Sequence, residues 1–338
     1  MVDILTKREF VVGTLGLLAS TQIARSQSAR PYEQKVAGLY PVSKKPAISE
    51  TIHNSAIKAA IRGDIKYDFY SGVPKQEYEN ILREVSEQDY DLIIGEIFEF
   101  EDLARGIALD YRSQSYLFGS YQPTPEYLTS FSIFENYTHD AAYIAGIIAS
   151  GFSKSNVLGA FGTLYSPNSY RNLNAFIQGA KEVNSQINIL VELIEGDIDP
   201  ISIVEKFEFQ KAFGVDLIYA EKVGVEQFSI ENEILTIGNV LNHVDKNPNY
   251  MVSSTLWHYQ PTLNAALDKL RNNSFTTENL RHFSGMKFGG CSLASLDSFI
   301  HQVPPEVLEK ASRRIYEIKN ENYEVATVEL LPVSELGE

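Results

Sequence analysis

Eight residues stand where apolar runs of the sequence end or just beyond them: Tyr40, Glu96, Phe98, Tyr165, Asn168, Asn239, Trp257 and His258. In chains that alternate strands and helices, ligands are met at such places, because the carboxyl ends of parallel strands open onto loops. The residue types point to binding. Aromatic rings offer stacking faces, while Asn, Glu and His offer in-plane donors and acceptors. Several also have a structural alternative. Trp257, the single tryptophan, can stack on a ligand or fill the contact between two lobes. His258 can bond a ring nitrogen or face solvent in the first turn of a helix. Glu96 can accept from an amine or stay solvated in a loop. Tyr40 can turn its hydroxyl to a ligand or to a core partner. Asn168, with Tyr165 on the loop before a helix, can contact a ligand or cap that helix. Asn239 both donates and accepts. Glu221 and Lys222 rank behind these, as partners of each other or of solvent.

The sequence lacks the signatures of catalysis and nucleotide binding: no GxxxxGK[ST], no GxSxG, and no GxGxxG between a strand and a helix. Gly159-Ala-Phe-Gly162 lacks the third glycine and reads as a turn after a strand. The six His, at 53, 139, 243, 258, 282 and 301, form no HxxxH or HxH chelate, and Cys291 is the lone cysteine. No metal, cofactor or disulfide framework is therefore expected. The 338 residues carry 44 Asp+Glu against 29 Lys+Arg, a formal charge of −15, with no basic run. Nucleic acid and anionic membrane are unexpected partners.

The elements that must position the eight residues read as two α/β series. The first runs strand Lys35–Tyr40, helix Glu50–Arg62, strand Tyr67–Val73, helix Lys75–Gln88, strand Asp91–Gly95, helix Glu99–Leu109 and strand Ser115–Phe118. Continuous apolar strands between such helices indicate a parallel sheet covered on both faces. After Gln122-Pro-Thr-Pro125 the pattern resets. Strand Ser130–Phe134, helix Tyr137–Gly151, strand Asn156–Phe161, helix 168–183, strand 187–194, helix 200–213, and strands Asp216–Tyr219 and Leu235–Gly238 follow. The first two strands of each series start about 32 residues apart, which suggests two similar lobes. Strand Tyr250–Leu256 then feeds helix 257–271, Met286–Cys291 reads as a strand, and Pro304-Pro305 introduces helix 305–319. These late elements imply returns between lobes. The expected division is an N-terminal lobe of 30–132 plus 253–285 and a C-terminal lobe of 133–252 plus 286–330. Two doubly wound Rossmann-like lobes joined by a hinge would place a ligand cleft between them.

Residues 1–29 read as an export signal. Lys7-Arg8 precedes the apolar stretch Phe10–Ala19, too short to span a bilayer, and small and polar residues follow to Ala29. Thr6-Lys7-Arg8-Glu9-Phe10-Val11 resembles the twin-arginine consensus with Lys for the first Arg. A short buried helix is the structural alternative. No Cys lies near the end of the apolar stretch, so a lipid anchor is not expected and the product should be periplasmic.

The block Tyr137-Thr-His-Asp-Ala-Ala-Tyr-Ile-Ala-Gly-Ile-Ile-Ala149, Ser153-Lys-Ser-Asn-Val-Leu-Gly159 and Asn174-Ala-Phe-Ile-Gln-Gly-Ala-Lys-Glu-Val-Asn184 resembles the central part of the basic membrane protein family. These are substrate-binding proteins of nucleoside- and purine-type ABC importers. Tyr90-Asp-Leu-Ile-Ile94, Asp199-Pro200, Phe213-Gly-Val-Asp-Leu-Ile218 and Ser253-Ser-Thr-Leu-Trp257 extend the resemblance over most of 65–290. It implies a type I periplasmic-binding-protein fold without enzymatic activity. It further implies a purine-like ligand enclosed by lobe closure and an ABC permease as partner. The Trp257 version of its segment is similar to the purine-base subgroup. Departures fall in the pocket: Val42-Ser-Lys-Lys-Pro46 lacks the usual acidic or aromatic group, Asn239 stands for a common Asp, and Ile198 for an aromatic. Asn239 would suit a neutral base edge better than a ribose diol. The competing readings are a non-transport sensor of the same fold and, less favoured, a nucleoside-processing enzyme. A repressor effector domain would need a DNA-binding helix-turn-helix ahead of residue 35.

Overall fold

Strands β2 (Gln34–Pro41), β3 (Ile65–Val73), β4 (Leu92–Glu96), β5 (Tyr116–Gly119) and β6 (Phe131–Phe134) pair in parallel in the order β3-β2-β4-β5-β6. The computed structural model describes residues 11–14, 33–42, 46–244 and 247–335. Of the expected export signal only β1 (Val11–Thr14) is described, paired antiparallel with β3; the rest of 1–29 lies outside the described residues.

Helices α1 (Pro46–Arg62), α2 (Tyr78–Ser86) and α3 (Glu101–Asp110) connect these strands. Alternation along the strands sends Ala37, Leu39, Ile93, Tyr116 and Phe118 to one face. There they pack with Tyr78, Leu82 and Val85 of α2 and with Ala104 and Ile107 of α3. On the opposite side α1 packs against α8 (Gln260–Arg271), and Gln34 Nε2 donates to the Leu267 carbonyl at 3.1 Å.

The second sheet repeats the plan. Strands β7 (Val157–Thr163), β8 (Asn188–Ile194), β9 (Leu217–Ala220), β10 (Leu235–Val240) and β11 (Met251–Trp257) are parallel in the order β8-β7-β9-β10-β11, with β12 (Cys291–Leu293) antiparallel on β11. Counting strands within each series, both orders are 2-1-3-4-5, the flavodoxin-like doubly wound arrangement. Leu217 and Tyr219 face α4 (His139–Phe152) and α5 (Pro167–Val183). Ile218 and Ala220 face α6 (Pro200–Ala212) and α7 (Val225–Glu231). A polar N-cap with proline behind it starts two of these helices: Ser166 accepts from Ser169 N ahead of Pro167, and Asp199 accepts from Ser202 N ahead of Pro200.

The chain forms two compact units, residues 1–136 with 259–281 and residues 137–258 with 282–338. The return to the first unit therefore begins at Tyr259 and not at 253. The stretch 251–257 belongs to the second unit because it pairs with β10 and β12. Helix α8 starts at Gln260 and not at 257, since Trp257 is still strand. Met286–Cys291 is not a strand. It holds a 3-10 turn, Met286–Phe288, then Gly289 at φ +74° and Gly290 packed on the Phe283 carbonyl, and only Cys291 starts β12. Two glycines in succession break the extended run. Helix α7 went unread in the sequence; α9 (Pro305–Lys319) begins and ends where the sequence places it.

Candidate binding residues at the strand ends

In a 2-1-3-4-5 sheet the connections leave the first and third strands in opposite directions, and the crevice at their carboxyl ends is the usual ligand position. In the first unit those strands are β2 and β4. Glu96 closes β4 at 1% exposure, and its Oε2 accepts the Phe98 N–H at 3.2 Å. It is not the solvated loop carboxylate of the alternative reading. The Phe98 ring stacks on Tyr121, which follows the end of β5, with centroids 4.4 Å apart and planes at 23°. Behind this platform Tyr78 stacks on Phe100 at 3.9 Å, and burial, reinforced by Glu96 and Glu101, holds the Tyr78 hydroxyl well above its ordinary pKa. Ser120 Oγ donates to Glu101 Oε1 at 2.6 Å, and Arg105 donates to Glu101, Ser120 and the Pro123 carbonyl. The loop bearing Tyr121 is thereby pinned to α3.

Tyr40 takes its structural alternative. Its hydroxyl lies 2.7 Å from that of Tyr67, which is 2.9 Å from His53 Nδ1. Burial, with Tyr67 beside it, raises the Tyr40 pKa well above normal, and burial lowers that of His53. This is an internal aromatic network under the end of β2.

In the second unit the corresponding strands are β7 and β9. Glu221 directly follows β9 at 7% exposure, and its carboxylate accepts from the Ser169 hydroxyl and from Asn172 Nδ2, the latter at 3.2 Å. Gly162 lets α5 come this close: a Cβ there would lie 2.7 Å from Ser169 Oγ and 2.4 Å from Leu173 Cδ1. Asn239 Nδ2 donates to the Glu221 carbonyl at 2.7 Å, and Asn239 Oδ1 accepts from Thr255 Oγ1 at 2.7 Å. Its amide ties β10 to its neighbours.

Asn168 is not the cap of α5, a role Ser166 fills. Its Oδ1 accepts from Arg171 Nη2 at 2.7 Å, and that guanidinium lies 3.8 Å from the Tyr137 ring centre and pairs with Glu329. Tyr165 is 77% exposed at φ +58°, and its N–H donates to the Tyr170 hydroxyl. Trp257 is buried and donates Nε1–H to Ser284 Oγ at 2.9 Å; His258 Nε2 lies 2.8 Å from Ser292 Oγ. Lys222 donates to the Gly196 carbonyl.

Of the expected residues, Glu96 and Phe98 stand together at the β4 end of the first unit. In the second unit Asn239 bonds the Glu221 carbonyl and Asn168 bonds Arg171, while Tyr165 is exposed on its loop and Tyr40, Trp257 and His258 bond Tyr67, Ser284 and Ser292. Tyr121, Ser169 and Asn172 were missed. The signal for Tyr121 was an aromatic two residues past a strand end; for the other two it was a polar pair three apart on one helix face. Among the described residues no cluster of His, Cys, Asp and Glu could hold a metal ion. The groups present supply stacking and hydrogen-bond acceptance.

A family model described as ABC transporter substrate-binding protein, PnrA-like (Bmp), matches residues 43–323. The chain belongs to this basic membrane protein family. Within curated proteins this family member is 21% identical over 270 residues to a putative ABC transporter glucose-binding protein of Haloferax volcanii. That alignment takes in 77% of this chain and 65% of the relative. It is also 21% identical over 179 residues to a purine-binding protein of Brucella abortus, over 52% of this chain and 50% of the relative. The chain thus spans less than two thirds of either relative's length. Solved structures of similar fold include a transcriptional activator of the comK gene from Bacillus halodurans, with TM-score 0.71, 18% identity, and coverage of 85% of this chain and 99% of that one. ABC transporter solute-binding proteins from Conexibacter woesei (TM-score 0.68, 14% identity, 87% and 99% covered) and Aeropyrum pernix (0.64, 16%, 87% and 94%) are similar too. These neighbours carry the fold, that of the type I periplasmic solute-binding proteins. No helix among the described residues is long and apolar enough to cross a membrane.

Proposed function

We propose that this Bmp-family chain is a periplasmic receptor that captures a purine base or nucleoside-like small molecule and hands it to an ABC permease. The observation carrying the proposal is the matching pair of strand ends. Glu96 with the Phe98–Tyr121 platform stands at one switch point, and Glu221 with Asn172 at the other. Stacked rings fit the flat faces of a heterocycle, and buried acceptors fit its N–H groups. The binding act is closure of the two units over the ligand, which excludes water, and the closed form is what the permease recognises. No cofactor and no enzymatic step is involved. Export uses the signal at residues 1–29, with the Lys7-Arg8 pair favouring a twin-arginine-type route.

The purine-binding relative supports this ligand class, and the glucose-binding relative supplies the competitor. Thermal unfolding of the purified protein with adenine, guanine, hypoxanthine, adenosine, inosine and glucose decides between them. A ligand that binds only the folded state at 100 times its Kd adds about 2.7 kcal/mol and raises Tm. The expected result is a rise with purines or nucleosides. A rise with glucose alone, or with none of the six, overturns the proposal.

A further inference from the structure

At the ends of β7 and β9 a buried amide oxygen stands beside a buried carboxylate. Glu221 can only accept while ionised. Asn172 is fully buried, and its Nδ2 donates to Glu221 Oε1 at 3.2 Å. That bond fixes the amide, since a flip would turn the amide oxygen onto a carboxylate. Asn172 Oδ1 is therefore held beside the carboxylate, and it has no hydrogen-bond partner among the described residues. A buried amide oxygen without a donor is costly unless something supplies one.

The neighbouring side chains are committed elsewhere. The Ser169 hydroxyl is given to Glu221, Asn239 Nδ2 to the Glu221 carbonyl, and the Thr255 hydroxyl to Asn239 Oδ1; Arg171 Nη2 is given to Asn168 Oδ1. What this corner leaves open is an acceptor next to a carboxylate.

We infer that Glu221 and Asn172 form a two-acceptor corner that reads an exocyclic amino group on the ligand, selecting amino-substituted purines over their oxo counterparts. The inference rests on the purine reading above and goes beyond it. An exocyclic –NH2 has two hydrogens, one for Glu221 and one for Asn172 Oδ1. At the edge bearing the 6-substituent, hypoxanthine, the size of adenine, offers only N1–H, with its oxo lone pairs facing the second acceptor. A site built around a donor discriminates strongly against an analogue that lacks it, because the buried acceptors are then left unpaired. Glu221 directly follows β9 and Asn172 lies in α5, so a strand end and a helix hold the pair.

Titration calorimetry of the full chain with adenine, guanine and hypoxanthine tests this, followed by the same titrations on Glu221→Gln. A glutamine can turn its own N–H toward an oxo group, so the variant relaxes the choice. Adenine and guanine should each bind about tenfold or more tightly than hypoxanthine in the wild type, falling to within about threefold in Glu221→Gln. Equal or tighter binding of hypoxanthine by the wild type overturns the inference while leaving the purine reading intact. So does an unchanged ratio in a folded Glu221→Gln protein. Absence of binding by all three, with nucleosides also silent, overturns both. If Glu221→Gln does not fold, the wild-type ratio decides alone.

Discussion

Glu96 and Glu221 occupy the same place in two separately folded sheets. Leu39 of β2 pairs with Gly95 of β4, and Phe161 of β7 pairs with Ala220 of β9. In both sheets the next residue is a buried carboxylate at the end of the third strand. A buried carboxylate is expensive to desolvate and is an unusual choice for packing alone. Glu96→Gln keeps the shape and removes the charge. Its unfolding free energy in urea should stay within about 1 kcal/mol of wild type, or rise, while affinity for the proposed purine-like ligand falls about tenfold. A large loss of stability with unchanged affinity would make Glu96 a scaffold residue.

The parallel-sheet plan was legible because buried strands are continuous apolar runs, and Pro304-Pro305 marked the start of α9. Helix α7 escaped because seven residues after Gly224, the αL residue at its N-terminus, carry too little periodicity. The placement of Glu96 and Phe98 at the end of β4 could be read from local position alone. The buried polar cluster around Glu221 could not, since its partners Ser169 and Asn172 come about 50 residues earlier and meet it only across the β7–β9 pairing. Trp257 was prominent by rarity, and rarity does not tell which way a side chain turns; its indole faces Ser284.

The two segments that mark the family most clearly, Tyr-Ile-Ala-Gly146 and Gly179-Ala-Lys-Glu, meet each other. A Cβ at Gly146 would lie 2.0 Å from the Phe176 carbonyl oxygen, and one at Gly179 would lie 1.9 Å from that of Tyr143. The obstacles are backbone atoms, which cannot swing aside as a side chain can. Alanine gains about 1 kcal/mol of helix propensity over glycine, while overpacking of a tight core costs about 1–3 kcal/mol or more. Gly146→Ala and Gly179→Ala should each lose about 2 kcal/mol in urea unfolding, and the double variant less than their sum, because the first methyl already parts the helices. Stabilisation by either change would mean that α4 and α5 do not cross at these glycines.

His53, under the end of β2, gives stability a pH dependence of known sign. Burial lowers its pKa below the ordinary 6.5. The unfolded chain therefore takes up a proton as pH falls below 6.5, before the folded chain does. This contribution is complete above 6.5, declines as pH drops toward the folded value, and levels off beneath it. Urea midpoints of wild type and His53→Asn at pH 7.5 and pH 5 isolate the effect. The gap in favour of wild type should narrow at pH 5; a constant gap would mean that folding does not lower the His53 pKa.

The C-terminal segment after Tyr323 lies beyond the family-matched span of 43–323, yet it is firmly attached to the second unit. Asn174 Nδ2 donates to the Val328 and Leu330 carbonyls, Glu329 pairs with the buried Arg171, and Val325 is buried. Further on, the Glu335 N–H donates to the Ile189 carbonyl at 3.1 Å, and the Val191 N–H to Ser334 Oγ at 3.1 Å. Ile189 and Val191 belong to β8, the last strand of its sheet. The segment thus covers groups that would otherwise template pairing with another chain. It also neutralises Arg171, whose charge would be costly if buried alone. Truncation after Tyr323 should lower stability by about 2–4 kcal/mol and produce concentration-dependent self-association in sedimentation velocity, compared with the full chain. Glu329→Gln should reproduce part of the stability loss without the association, since it leaves the cover over β8 in place. A truncated protein that sediments like the full chain at every concentration would show that the edge is protected in some other way.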